Sequence, residues 1–214
     1  MKKNKYSPIK IILCGFFIIA LILVCSAILN SLNNLWLDQI EVNMYESKYK
    51  SMSAILPDAE SFDLQYFEPT KNVLEIYVAS KQGGELVMDD GTIEELPPEL
   101  LGYCVLVTVD GFTGLPIEMI VGIAPKGEVI GISYISVNET PRVGTKIKSL
   151  KFVKSIIGKT EILQVITGYP KSSNEIQAVS GATQSSKAVV EGVNEAMRAV
   201  IMLKEISQEI PIDE

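Results

Sequence analysis

The sequence predicts an α+β protein in which one N-terminal transmembrane helix precedes a domain with an antiparallel sheet packed by helices. Three observations carry this prediction. A charge-free apolar run fills residues 11–29, three β-rich segments follow one another at turn spacing between residues 102 and 137, and helical patterns come after them. Apart from the membrane segment, the 214 residues suit one domain of ordinary size.

The apolar run is 19 residues long, "IILCGFFIIALILVCSAIL", and in a helix it would cross roughly 30 Å of hydrocarbon. Four lysines precede it, and the first acidic residues after it are Asp38 and Glu41. The positive-inside rule therefore predicts a cytoplasmic tail over 1–8, a transmembrane helix over 9–31 and an extracytoplasmic remainder. The alternative is a cleaved signal peptide with its small-residue site at "CSA".

Charge and residue types exclude several classes of function. The first 37 residues hold four of the 19 basic residues and no acid, so the remainder carries 15 basic against 26 acidic residues. An acidic domain of this kind does not attract nucleic acid. The chain has no histidine, and Cys104 is the one cysteine outside the apolar run, so we expect no imidazole catalysis and no metal site. Redox work would require an organic cofactor.

The segment after the membrane run predicts a helix and then a sheet. Residues 37–55 repeat apolar side chains at helical spacing up to Pro57, within a membrane-proximal segment over 32–60. The domain proper is predicted over 61–214. Its predicted strands are 72–80, a pair over 85–93 around Asp90-Gly91, 102–111, 115–124 and 128–137. The stretch 93–101, with Pro97-Pro98, is predicted as a loop.

The C-terminal third alternates between helical and strand patterns. "KIKSLKFVKSII" (146–157) has helical spacing, and "EILQVIT" (161–167) returns to a strand pattern. The last helix is predicted over 184–207, with one apolar stripe that indicates core packing. The stripe consists of Val189, Val193, Met197 and Val200.

The stretch "SGATQSSKAV", which begins at Ser180, places small residues between a short strand-like run and this last helix. A helix start leaves up to four backbone N–H groups unpaired at the positive end of the helix dipole, which favours a phosphate group. Gly181 and Ala182 permit close approach. The hydroxyls that could bind the anion, or that could simply cap the helix, belong to Ser180, Thr183, Ser185 and Ser186.

The same stretch resembles the flavinylation motif of the FMN-binding domain family, Ser/Thr-Gly-Ala-Thr, whose last Thr is esterified to the phosphate of FMN. The matching residue is Thr183. "GFTGLPIEMIVGIAPKGEVIGISYI" is similar to the family's Gly-rich turn and strand pair, and "NETPRVGTKI" to its Glu-Thr-Pro-Gly-Leu-Gly segment. The resemblance covers about residues 72–200.

The resemblance implies covalent FMN on Thr183, Glu139 and Thr140 near the flavin ring, and no catalytic residue of the chain's own. Around the phosphate it implies Ser180, Gly181, Ala182, Ser185 and Ser186. The sequence departs from the family pattern at three places: no histidine comes before Glu139, Arg142-Val143 replaces Gly-Leu, and Gln177 replaces Asp. A cation at Arg142 would raise the reduction potential of a ring beside it.

A single transmembrane helix before such a domain looks most like the G subunit of the Rnf complex, with the C subunit of the sodium-pumping quinone reductase as a relative. This resemblance implies an electron-transfer subunit in a membrane complex that couples ferredoxin and NAD to ion transport. Its partners would be the integral membrane and redox subunits, and a flavin transferase would mature it. Two alternatives stay open: a flavin-binding sensor or accessory module, and a membrane-anchored interaction domain without flavin.

Overall fold

The computed structural model describes residues 8–87 and 93–209. It begins with helix α1 (Pro8–Ile55), whose last part confirms the helix predicted over 37–55. The chain divides into two compact units, Met1–Glu46 and Ser47–Glu214. Within residues 8–87 and 93–209, no helix is both long enough and apolar enough to span a membrane.

A five-stranded antiparallel sheet forms the centre of the second unit. The strands in chain order are β1 (Ser61–Gln65), β2 (Val73–Lys81), β3 (Glu85–Val87), β4 (Ile93–Glu95), β5 (Glu99–Asp110), β6 (Pro116–Ile123), β7 (Val129–Val137), β8 (Gln164–Ile166) and β9 (Glu175–Gln177). The sheet order is β1-β2-β5-β6-β7, while β3 pairs with β4 and β8 pairs in parallel with β9. β5 is central and buried over most of its length, because elements cover both of its faces.

One face of the sheet is covered by the C-terminal helix and two short helices. These are a 3-10 helix (Gly144–Lys148), α2 (Leu150–Ile156) and α3 (Thr183–Glu209). The predicted stripe on α3 is confirmed as core, since all four of its members are buried in the same cluster as the sheet residues Val105, Val107 and Met119. Burial of each such side chain stabilises the fold by about 1.5–3 kcal/mol.

The opposite face is covered by the end of α1. Met52 and Leu56 are buried there with Leu106 and Ile120 of the sheet. Ile55 lies against Gly122, where an added Cβ would come within 2.2 Å of its Cγ2 atom. The glycine on β6 therefore provides the groove that receives this isoleucine.

Several predicted elements need correction. The helix predicted over 146–157 is broken at Ser149, whose backbone is extended (φ −64°, ψ 137°), into the 3-10 helix and α2. The predicted loop 93–101 holds β4 and the start of β5, and the Asp90-Gly91 turn lies outside the described residues. The short strand β1 is not predicted, because five residues carry too little periodicity to be distinguished from a loop.

The antiparallel register brings two loops to one end of the sheet. Asp110 pairs with Pro116 across the β5–β6 turn, and Ile117 pairs with Val137 at the end of β7. The turn and the segment after β7 are therefore neighbours. The hydroxyl of Thr113 joins them by donating to the carbonyl oxygen of Asn138 at 2.6 Å.

Candidate functional site

The N-terminus of α3 has unpaired amides and no polar side chain at the capping position. Its first intrahelical bond runs from the Ser186 N–H to the Ala182 carbonyl, 2.9 Å, so Ala182 is the N-cap and Thr183 is the first helical residue. The Ala182 N–H is satisfied by the Val179 carbonyl. By helix geometry the next three amides have no acceptor within the helix, and alanine offers them no oxygen. They form an anion-binding end on a helix of 27 residues.

The hydroxyl of Ser186 is used to fold this turn. It accepts the Val179 N–H at 3.0 Å and donates to the Ala182 carbonyl at 2.8 Å, and the residue is fully buried. Gly181 has φ 79°, in the left-handed region that glycine adopts without strain. Together the two Ser186 hydrogen bonds and the glycine turn the chain sharply into α3 and leave Thr183 half-buried at the start of the helix.

Glu139 is a buried carboxylate in the segment after β7. It is 6% exposed, and its Oε1 atom accepts the Phe112 N–H at 2.7 Å. Its Oε2 atom is buried without a hydrogen-bond partner. Two glycines flank the group: an added Cβ would lie 2.4 Å from Oε1 at Gly111 and 2.5 Å from Oε2 at Gly144. A buried unpaired carboxylate oxygen is costly, so it indicates a place for a hydrogen-bond donor.

The helix start and the carboxylate belong to one half-open cavity of about 280 Å³. Six of the eight residues predicted for the site line it: Glu139, Thr140, Gly181, Ala182, Thr183 and Ser185. Phe112, Val143, Gly144 and Gln184 complete the wall. Phe112 is 69% exposed and Val143 is 43% exposed, so the cavity combines exposed apolar side chains with a buried polar group. This combination suits a ligand that has an anionic group and a flat, partly apolar ring.

The other two predicted residues do not line this cavity. The Ser186 hydroxyl is engaged in the two hydrogen bonds described above, and Ser180 lines a neighbouring cavity of about 330 Å³. Gln177 lines the same neighbouring cavity, together with Lys151 of α2. The short segment 177–183 therefore separates two cavities, and only its end at α3 lines the one that contains Glu139.

Arg142 is exposed and is not among the residues that line the Glu139 cavity. Its backbone has φ 63°, an uncommon value for a residue with a Cβ atom. The Arg142 N–H donates to the Thr145 hydroxyl at 3.0 Å, which holds the loop in this conformation. The loop conformation that positions Glu139 and Val143 thus depends on a strained residue.

Sequence reasoning missed Phe112, Val143 and the two glycines beside Glu139. The "GFTG" stretch is similar to the family's Gly-rich turn, but nothing in the local pattern indicates that the amide of its second residue, Phe112, binds a carboxylate 27 residues away. The signal that could have identified Gly111 and Gly144 is their position next to Phe112 and Val143, two apolar residues in otherwise polar loops.

Comparison with known proteins gives matches of three kinds. Residues 111–198 match the FMN-binding domain. The chain is similar to the G subunit of the Na(+)-translocating ferredoxin:NAD(+) oxidoreductase complex of Acetobacterium woodii, 33% identical over 83% of this chain and 84% of that one. It is also similar to the G subunit of the ion-translocating oxidoreductase complex of Shewanella baltica, 25% identical over 86% of each chain. Among solved structures it matches the C subunit of the Na(+)-translocating NADH-quinone reductase from Parabacteroides distasonis, with a TM-score of 0.46, 16% identity, and coverage of 67% of this chain and 76% of that one.

Proposed function

The chain belongs to the family formed by the G subunits of ion-translocating ferredoxin:NAD(+) oxidoreductase complexes, and on that premise we propose that it is a membrane-anchored electron carrier with FMN esterified to Thr183. The observation that carries the proposal is the pairing of an uncapped helix start at Thr183 with a buried, unpartnered carboxylate oxygen in the same cavity.

The helix start fits the phosphate of FMN. The first turn of α3 presents both its free amides and the positive end of the helix dipole to an anion in the cavity. Thr183 lines the cavity and carries the hydroxyl that an ester would use. Ser185 lies in the same first turn and also lines the cavity. An ester would fix the phosphate where the amides stabilise its charge.

The rest of the cavity fits the isoalloxazine ring. The exposed side chains of Phe112 and Val143 offer apolar surface to the flat ring. The unpartnered Oε2 atom of Glu139 offers an acceptor to a ring N–H group. Thr140 lines the same wall. When bound, FMN supplies one-electron and two-electron transfer, and the chain's own residues bind it, orient it and shield its polar edge from water.

We also propose a membrane anchor and partner subunits. The uncharged run over 11–29, with lysines before it and acids after it, supports a single transmembrane helix with a cytoplasmic N-terminus and an extracytoplasmic FMN domain. The run contains no charge that could conduct an ion, so ion transport would belong to the other integral membrane subunits. A flavin transferase would attach the cofactor before those redox subunits exchange electrons with it.

The test is covalent flavin on the full-length chain, expressed with an active flavin transferase and separated on a denaturing gel. We expect fluorescence in the wild type, none in Thr183→Val, and retained fluorescence in Thr160→Val, which removes an exposed threonine hydroxyl elsewhere. A dark wild-type band beside a fluorescent control substrate would overturn the ester. Fluorescence without co-purifying redox subunits would favour a flavin-binding accessory module.

A further inference from the structure

We propose that Glu139 lowers the reduction potential of the bound flavin, because its fixed negative charge lies in the cavity wall and its free oxygen accepts a ring N–H. This inference rests on the proposed function. It adds to the proposed function a residue that sets the reduction potential of the carrier.

The side-chain charge of the described cavity wall comes from this one residue. Among the described residues that line it, Glu139 is the only ionisable one, and the others are apolar, hydroxyl, amide or glycine residues. Arg142, the nearest cation in sequence, is not part of the wall. A buried charge acts through a medium less polar than water and is therefore weakly screened. A flavin in this cavity would experience a net negative environment from the lining side chains.

The carboxylate is held in one position. Its Oε1 atom is bound to the Phe112 N–H, and glycines occupy the two places where a Cβ would collide with its oxygens. The side chain therefore cannot rotate without breaking that hydrogen bond and leaving the space that the two glycines provide for it. Its position also leaves Oε2 without a partner, although such an oxygen normally obtains one. A structural role alone would require only the Oε1 bond.

The direction of the effect follows from charge. Two-electron reduction of a flavin takes up two electrons with either one proton, which leaves the ring negative, or two protons, which leave it neutral. The electrons come from the donor and the protons from water. The one-proton reaction adds negative charge to the ring, and a fixed carboxylate beside the ring opposes that gain, so the oxidised state is favoured and the potential falls.

The experiment is a reductive titration of the full-length flavinylated chain in detergent, with dithionite as reductant and mediator dyes. Glu139→Gln keeps the size and the acceptor for Phe112 but removes the charge, whereas Glu139→Asp keeps the charge. We expect Glu139→Gln to raise the midpoint potential by at least about 30 mV, a tenfold change in the two-electron equilibrium. Glu139→Asp should stay closer to the wild type. Glu118→Gln, on β6 outside the cavity wall, is the matched control and should leave the potential unchanged.

The outcomes separate this inference from the proposed function. If the wild type carries covalent flavin and Glu139→Gln has the same potential, the inference is wrong while the carrier assignment stands. If the wild type carries no flavin, the proposed function fails first. If Glu139→Gln and Glu139→Asp both fold but take up no flavin, the residue acts in attachment, and its role in setting the potential is rejected.

Discussion

The carboxylate of Glu139 occupies the space that a side chain at Gly144 would fill. A Cβ built on Gly144 lies 2.5 Å from Oε2 and 2.7 Å from the Cβ of Glu139, closer than non-bonded atoms approach. The two residues are five positions apart, and the strained Arg142 lies between them. Glycine at 144 is thus a condition for a buried carboxylate at 139.

We therefore expect Gly144→Ala to displace the carboxylate and to destabilise the protein by about 1–3 kcal/mol, the usual cost of overpacking a buried site. Thermal unfolding followed by circular dichroism measures this. The control is Gly168→Ala, because an added Cβ there meets nothing within 4 Å. Equal stability of the two variants would contradict the close approach of Glu139 and Gly144.

Replacing Arg142 by glycine should stabilise the protein by about 0.5–1 kcal/mol. The φ of 63° strains a residue with a Cβ atom, and glycine relieves that strain although it costs some entropy in the unfolded chain. The expected rise in Tm is about 1–4 °C. Arg142→Ala keeps the strain while removing the guanidinium, so it should show no such rise. A similar gain in both variants would indicate that the charge, and not the backbone, is responsible.

Asn194 of α3 should contribute to the stability of the fold and should not affect flavin binding. Its side-chain Oδ1 accepts the Leu163 N–H at 2.8 Å and its Nδ2 donates to the Leu163 carbonyl at 2.9 Å, in a buried position. Asn194→Ala leaves both backbone groups unpaired, at an expected cost of about 2–3 kcal/mol in urea unfolding. Glu191→Ala, on an exposed position of the same helix, should stay within about 0.5 kcal/mol of the wild type.

The ion pair between Lys48 and Glu75 joins the end of α1 to β2. The Lys48 ammonium contacts both carboxylate oxygens, at 2.9 and 2.7 Å, and the Tyr77 hydroxyl donates to Oε2 at 2.7 Å. A double-mutant cycle with Lys48→Met and Glu75→Gln should give a coupling of about 0.5–1.5 kcal/mol that weakens with salt, since the pair is half-buried. The helical pair Glu195 and Arg198, whose cation is more exposed, should give less than about 0.5 kcal/mol. Equal coupling in the two pairs would contradict the role of burial.

Cys104 should make the protein less stable as the pH rises above about 9. Burial raises the pKa of its thiol from 9.0 to about 12, so between these values the unfolded chain loses a proton that the folded chain keeps. The stabilisation is complete below pH 9 and is lost as the pH approaches 12. Urea unfolding at several pH values should show this slope in the wild type and a smaller one in Cys104→Ala.

Burial also raises the pKa of Tyr134, which ordinarily ionises near 10, so the part of the slope that begins near pH 10 should remain in Cys104→Ala. Alkylation provides an independent check. Mass spectrometry of the Cys104 peptide should show no modification of the folded protein at pH 8 and complete modification in denaturant. Rapid modification of the folded chain would contradict the burial of this thiol.

Long patterns with strong periodicity predicted the fold well. The three adjacent strands and the last helix were located to within about three residues, because many residues repeat the same preference in each. Short or mixed segments were predicted less well: β1 was missed, the predicted pair over 85–93 extends to Glu95 in the β3–β4 pair, and the break at Ser149 depends on the extended backbone of one residue. Propensity at a few residues is too weak to outweigh tertiary contacts.

The sequence by itself determined which catalytic groups this protein has. Because the chain has no histidine, redox work would require an organic cofactor, and the Ser180–Thr183 motif at the start of the last helix carries the resemblance to the FMN-binding domain family. Only the tertiary structure decided which residues meet there, because Glu139, Phe112 and Thr183 lie far apart in the chain and are joined by sheet register and helix packing. It also separated Ser180 and Ser186 from that cavity, since one φ near +80° and one hydrogen-bonded hydroxyl turn neighbouring side chains in different directions.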